Sequence, residues 1–295
     1  MNYDEQYRQY VAEAEAALKR QTYQCLRKDS RVSDAARYSL FGGGKRVRAV
    51  LCLAVCEMLG GSPELAECYA AGVEMLHCYS LIHDDLPCID NDDLRRGRPS
   101  CHKAFDEATA LLAGDALLTA AFETLAAARG TARQNVQAVQ TLSRAAGAGG
   151  MVWGQEQDLY YEAHPEQVGA EQLQAVHRSK TGELIRAAAM LGAIAADAAK
   201  EQCAAVGTYA DAVGMVFQIM DDVLDVTATE QELGTPIGSD AGNGKTTFIT
   251  LYGVEGSRQI AGKLTREACE KLEKTFGQRS QFLQTLADRL LHRNQ

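Results

Sequence analysis

The sequence predicts an all-α fold, and three observations carry that prediction. Five of the 295 residues are proline, the strongest helix breaker. Ala and Leu, both good helix formers, recur throughout. Apolar residues return at alternating spacings of four and three, most clearly at Val206, Ala210, Val213, Phe217, Met220 and Leu224. Alternation of the strand type is not sustained anywhere. A hydrophobic share of 46% and a charged share of 23% are ordinary for a globular chain. No long linker, low-complexity tract or tandem repeat divides the sequence, so one domain over residues 1–295 is expected.

Taken in order, the chain opens without a basic stretch followed by an apolar one, so no signal peptide is expected. No uncharged apolar run reaches the length of a membrane span. Gly42-Gly43-Gly44 interrupts the first helical region. Cys52 and Cys56 lie one turn apart in an apolar stretch and read as core. Ser62-Pro63 reads as an N-cap with Pro at the first helical position. Further breakers fall at Gly97 to Ser100, at His164-Pro165 and from Leu233 to Gly244. The stripe from Val206 to Leu224 marks one helix with a core face. Gln218, Asp221, Asp222 and Asp225 lie off that face.

A net charge of −9 argues against nucleic acid as the main partner. Nine cysteines, an odd number with no CxxC, read as reduced thiols of a cytoplasmic protein.

Two acidic clusters carry the chemistry: Asp84, Asp85 and Asp90, and Asp221, Asp222 and Asp225. Neighbouring carboxylates repel one another, and a divalent cation is the usual compensation. Donor sets of oxygen alone suit hard ions, so Mg²⁺ is expected, with Mn²⁺ as a substitute, ahead of Zn²⁺ or Cu²⁺. Mg²⁺ commonly bridges a few carboxylates to a substrate phosphate, which predicts a phosphate-bearing substrate. Asp221 and Asp225 are i and i+4 and share a helix face. Asp84 and Asp90 would stand about 120° apart on a regular helix. Pro87 between them disfavours one. The helix should therefore end or bulge there, letting Asp90 swing back toward Asp84.

The run YSLIHDDLPCIDNDDLRRGRP, Tyr79 to Pro99, resembles the first aspartate-rich motif of the trans-isoprenyl diphosphate synthases, and FQIMDDVLDV, Phe217 to Val226, resembles their second. GGGKRVR (Gly42 to Arg48), GQEQDL (Gly154 to Leu159), HRSKTGEL (His177 to Leu184) and GNGKTTF (Gly242 to Phe248) complete six motifs in family order over nearly the whole chain. The two residues inserted in the first motif, and Tyr79 five positions before it, are most similar to bacterial farnesyl diphosphate synthases.

The resemblance implies a single helical bundle of the isoprenoid synthase type with a central cavity. It also implies condensation of isopentenyl diphosphate with dimethylallyl or geranyl diphosphate, and a homodimer. By the same resemblance, Asp84 and Asp90 hold metal on one side and Asp221 on the other, with Asp85, Asp222 and Asp225 as second choices. Lys45, Arg48, His77 and Arg96 bind isopentenyl diphosphate, and Arg95 and Lys245 contact the allylic diphosphate. Lys180 clamps charge, and Thr181 and Gln218 offer oxygens to the developing cation. Adjacent arginines on a helix point to different sides, which would let Arg95 and Arg96 serve two ligands. Tyr79, with Ser80 or Leu76 behind it, would floor the tail cavity about 7.5 Å along the helix from Asp84. His83, His102, His164, His177 and His292 read as structural or surface. Two positions depart from the family pattern. Ala49 replaces a proline, and Thr235 replaces a lysine that touches the allylic diphosphate.

Four other readings compete with this one. A geranylgeranyl diphosphate synthase shares nearly every motif and differs at the tail floor. A terpene cyclase would not need Lys45, Arg48 and His77 for a second diphosphate. A non-catalytic prenyltransferase subunit would tend to lose aspartates that are intact here. A di-iron bundle would need two ExxH motifs, and Glu74 to His77 supplies one.

Overall fold

In the computed structural model, residues 1–227 and 246–293 are described. They are almost wholly helical, as the few prolines and the 3.6-residue periodicity require. The chain folds as two compact units, Met1–Leu142 with Leu191–Asp197, and Ser143–Met190 with Ala198–Gln295. The boundaries after Leu142 and Met190 fall inside helices, which is why the sequence shows no linker there.

The first unit contains α1 (Tyr3–Cys25), α2 (Arg31–Leu40), α3 (Val47–Leu59), α4 (Pro63–Asp84), the short α5 (Cys101–Ala104) and α6 (Glu107–Ala126). α7 (Ala132–Ala146) begins in it. α4 is the central element, packed by α1, α3 and α6. It is apolar nearly all round and buried along its length, as such a helix must be. Its start obeys the sequence signal: the Ser62 side chain accepts from the Leu65 N–H, and Pro63 follows at the first helical position. Cys52 and Cys56 are buried in α3, as expected.

The second unit holds α8 (Met151–Ala163), α9 (Ala170–His177), a π-helical turn (Arg178–Gly182), most of α10 (Glu183–Ala195), α11 (Lys200–Thr227), α12 (Phe248–Phe276, broken at Gly253 with φ 68°) and α13 (Gln281–Leu291). α11 packs along α12, and Val216, Ile219, Met220, Val223 and Phe248 make the core between them. Of the predicted stripe on α11, Val206, Ala210, Val213, Met220 and Leu224 are buried and Phe217 is half-buried.

One expectation needs correcting. Arg95 and Arg96 do not lie on a helix. They belong to a hairpin of β1 (Leu94–Arg95) and β2 (Arg98–Pro99), antiparallel with Arg95 opposite Arg98. Arg96 and Gly97 turn it with φ of 56° and 72°, the two positive values that a type I′ turn demands. α6 and α11 are long and apolar enough to cross a membrane by length and composition, although neither is an uncharged run, since Asp115 lies within α6 and Asp211 within α11. Half of the apolar window of α6 and 61% of that of α11 are instead buried against protein.

Candidate active site

In the first unit the acidic run ends α4. Asp84 is its last residue, and the Asp90 N–H donates to the Asp84 carbonyl at 2.9 Å, so the chain loops back as Pro87 predicted. Asp84 is half-buried and Asp90 is exposed. Asp85 is different. It is 2% exposed, and its Oδ1 accepts from Arg95 Nε at 2.9 Å and also from Arg95 Nη2. Burial pushes its carboxyl above the usual range, against the pull of the Arg95 guanidinium. The expected metal ligand Asp85 and the expected phosphate contact Arg95 thus hold each other, and through them the hairpin is tied to the end of α4.

The basic run at Lys45 splits in two. Arg46 adopts φ 51°, a left-handed backbone that turns its side chain inward. It is buried among Glu15 at 2.7 Å, Glu74 at 3.5 Å and the Leu40 carbonyl at 2.5 Å. Lys45 stays exposed and Arg48 half-buried. Arg96 reaches the glycine loop and donates to the Gly43 carbonyl. Gly44, at φ 122°, has no Cβ because one would lie 2.7 Å from Arg96 Cζ. His77 sits among these cations. Burial, then Arg48, Arg96, Arg46 and Arg95, drive its pKa well below the ordinary histidine value, so it is a neutral hydrogen-bonding group. Burial and Arg46 likewise pull Arg96 down, so an anion beside it would be welcome. The expected group Lys45, Arg48, His77 and Arg96 therefore lies in one unit, with Arg48 and Arg96 acting on His77. Tyr79 is 8% exposed and meets His83 edge-on at 5.6 Å. The Ser80 hydroxyl is spent on the His77 carbonyl at 2.9 Å.

In the second unit a pocket of about 170 Å³ is lined by Asp158, Glu162, His177, Lys180, Gln218 and Asp221, among others. The π-helical turn presents Lys180 and Thr181 to α11, and π turns gather at functional sites. Lys180 Nζ pairs with Asp158 Oδ2 at 2.6 Å. The close approach of α8 to that turn needs Gly154, where a Cβ would stand 2.3 Å from the Lys180 nitrogen. Thr181 Oγ1 donates to Gln218 Oε1 at 2.9 Å, and Gln218 Nε2 donates to Asp221 Oδ2 at 3.2 Å. Gln218 Oε1 thus already accepts one hydrogen bond, while the Thr181 hydroxyl keeps its own lone pairs. Arg293, which follows α13, completes the chain. It donates to Asp221 Oδ1 at 2.5 Å and to the Phe217 carbonyl at 2.8 Å, with its guanidinium 4.3 Å from the Phe217 ring centroid. Asp222 is buried, and its Oδ2 accepts the Phe248 N–H at 2.8 Å at the start of α12. Asp225 is half-buried. Lys245 and Thr235 lie outside the described residues.

His177, expected to be structural or on the surface, lines this pocket and lies 5.6 Å from the Phe248 ring. Asp158 and Arg293 had no place in the sequence argument. Asp158 stood in a quoted motif without a role, and nothing around Arg293 forms a pattern.

Among the described residues no three His, Cys, Asp or Glu side chains converge on one point. An enclosed zinc-type centre needs that convergence, whereas Mg²⁺ keeps its waters and takes one or two carboxylates with substrate phosphate. Asp221 is an oxygen-only donor of the type Mg²⁺ takes, with Oδ1 on Arg293 and Oδ2 on Gln218 in this structure.

The chain matches the family model described as polyprenyl synthetase over residues 29–286. It is 47% identical over 251 residues to geranylgeranyl pyrophosphate synthase 3, chloroplastic, of Arabidopsis thaliana, covering 84% of this chain and 70% of that protein. It is 44% identical over 271 residues to geranylgeranyl pyrophosphate synthase, chloroplastic, of Catharanthus roseus, covering 91% and 76%. Among solved structures it is similar to an FPP/GFPP synthase from Zymomonas mobilis, with 33% identity, a TM-score of 0.87 and coverage of 98% and 100%. A geranyltransferase from Legionella pneumophila gives 35% identity, the same TM-score of 0.87 and coverage of 98% and 96%.

Proposed function

This chain belongs to the polyprenyl synthetase family and is a short-chain prenyltransferase with the isoprenoid synthase fold, and we propose that it makes farnesyl diphosphate from isopentenyl diphosphate and dimethylallyl or geranyl diphosphate. The observation that carries the reading is a division of charge. One group of cations, Arg48 and Arg96 acting on the neutral His77, with Lys45 three residues before Arg48, suits a diphosphate held without metal. The aspartates suit a diphosphate held through metal.

Isopentenyl diphosphate is assigned to the cation group. The allylic diphosphate is assigned to Lys180, to Arg95 once Asp85 has fixed its direction, and to Lys245. Mg²⁺ or Mn²⁺ on Asp84, Asp90 and Asp221, with Asp225 beside it, would supply positive charge to the departing diphosphate. The allylic C–O bond breaks and its electron pair leaves with diphosphate. The isopentenyl double bond forms the new C–C bond, and a proton is lost. The Thr181 and Gln218 oxygens face the charge that develops, which lowers the barrier without a change of protonation. A cytoplasmic location fits the nine free cysteines. A homodimer would cover the outer face of α6, where Leu111 and Leu112 are 47% and 51% exposed. Light scattering should then give twice the chain mass, and a monomer would remove that part of the reading.

Product length rests on the buried ring of Tyr79. The second reading, a twenty-carbon product, is favoured by the names of the plant relatives. Chromatography of products from radiolabelled isopentenyl diphosphate with each primer decides between them. Fifteen carbons are expected from the wild type, and twenty or more from Tyr79→Ala. A twenty-carbon product from the wild type would move the floor away from Tyr79. No product with either primer, or full activity in excess EDTA, would end the reading.

A further inference from the structure

α11 lines two pockets. Gln218, Asp221 and Asp222 border the acidic pocket, while Ala212 and Met215 border a second one of about 550 Å³. Small-molecule sites commonly measure about 300–1,000 Å³. The second pocket is walled by Met215 of α11, Ile260 and Leu264 of α12 and the Phe248 ring. Four charged side chains also border it, and two of them are acids with a cation beside them: Asp211 with Arg186, and Glu267 with Lys263 at 3.9 Å, both pairs open to solvent. The other two are cations. Lys271 Nζ donates to the Thr208 hydroxyl, an uncharged partner, at 2.7 Å. The Arg178 side chain, exposed on the π-helical turn, makes no hydrogen bond or ion pair among the described residues.

We propose that this pocket binds a single-chain amphiphile with an anionic head, its tail among Met215, Ile260, Leu264 and Phe248 and its head on Arg178 and Lys271. An apolar interior rewards a tail, and two uncompensated cations reward an anion. Prenyl phosphates and fatty acids both have this chemistry. The binding site stands whether or not the reaction proposed above is correct.

The occupant would touch elements that also build the acidic pocket. The Phe248 ring forms a wall of the second pocket, while its backbone N–H is held by Asp222 at 2.8 Å. The π-helical turn carries Arg178 and Gly182 to the second pocket and Lys180 to the acidic one.

The test is calorimetric titration of the full chain, free of metal, with farnesyl monophosphate, dodecanoate and dodecanol. One molecule of at least one anion per chain is expected, with dodecanol bound about tenfold or more weakly because it cannot form the charge-assisted bonds. Arg178→Glu, at an exposed position that leaves the core intact, should weaken the anions at least tenfold. Met215→Trp, which fills the cavity, should abolish binding. Lys180→Ala, in the acidic pocket, should leave it unchanged. Dodecanol binding as tightly as the anions would overturn the head-group assignment. Binding that survives Arg178→Glu and is lost in Lys180→Ala would place the ligand in the acidic pocket and overturn the site, as would no binding by any of the three.

Discussion

The two acidic clusters open with the same dipeptide and sit in different backbones. Asp84-Asp85 falls where α4 ends and the chain loops back, whereas Asp221-Asp222 lies within the unbroken α11. Yet the division within each pair is the same. The first aspartate is half-buried and the second is buried. Each buried carboxylate fastens the element that follows: Asp85 fastens the hairpin through Arg95, and Asp222 fastens α12 through the Phe248 N–H. The partners differ in kind. Arg95 is about a third exposed and can turn to water, while a backbone N–H buried in the core cannot. A pair of adjacent carboxylates thus need not be two metal ligands. One can be the anchor that aims the other.

The comparison breaks most visibly in turnover. Asp84→Ala and Asp221→Ala should each lower it by about 10²–10³, the usual worth of one stabiliser of charge that appears only in the transition state. Steady-state rates at saturating Mg²⁺ read this, with thermal melts expected to stay near wild type. Equal, small losses would make both residues bystanders.

The anchors come next. Asp222→Ala should destabilise the fold by about 1–3 kcal/mol, because it leaves a buried N–H unsatisfied. Asp85→Ala should cost less than about 1 kcal/mol, since Arg95 recovers solvent. Urea denaturation of the two variants checks the order. Asp222→Asn, which keeps an acceptor oxygen, should restore most of the loss. The reverse order would mean that the Arg95 pair, not the capped helix, is the stronger anchor.

The smallest effect concerns Arg293, the cation on Asp221. Arg293→Gln removes a competitor for the carboxylate. Asp221 is 44% exposed, which limits the bond to about 0.5–1 kcal/mol. Mn²⁺ should then bind about two- to fivefold more tightly in paramagnetic titration. Weaker binding would show that Arg293 positions Asp221 rather than competing for it.

Much of this was legible in the sequence. The α11 stripe, the start of α4 at Ser62-Pro63 and the loop that returns Asp90 to Asp84 follow from periodicity, capping and proline geometry. What stayed hidden depended on backbone sign or on distance. A positive φ at Arg46 decides that the middle cation of Lys45-Arg46-Val47-Arg48 points inward, and no pattern of charges reveals a φ. The hairpin at Arg95 has two-residue strands, too short to alternate, and its Arg-Gly turn lacks the usual Asn or Asp. Asp158 meets Lys180 across 22 residues, and Arg293 meets Asp221 across 72, so each pairing exists only once the helices are packed.

The inward turn of Arg46 also bears on how this sequence can drift. Glu15, Arg46 and Glu74 come from α1, the start of α3 and α4; the Arg46 and Glu74 charges are held away from water, and Glu15, with its side chain 31% exposed, pairs with Arg46 from the rim. Replacing one leaves a stranded charge, which is strongly destabilising, while replacing all three with well-packed apolar residues can be neutral or better. Single-step evolutionary paths through these positions should be nearly closed. In a set of diverging descendants, positions 15, 46 and 74 should change as a block, three separate codons inherited as though they were one.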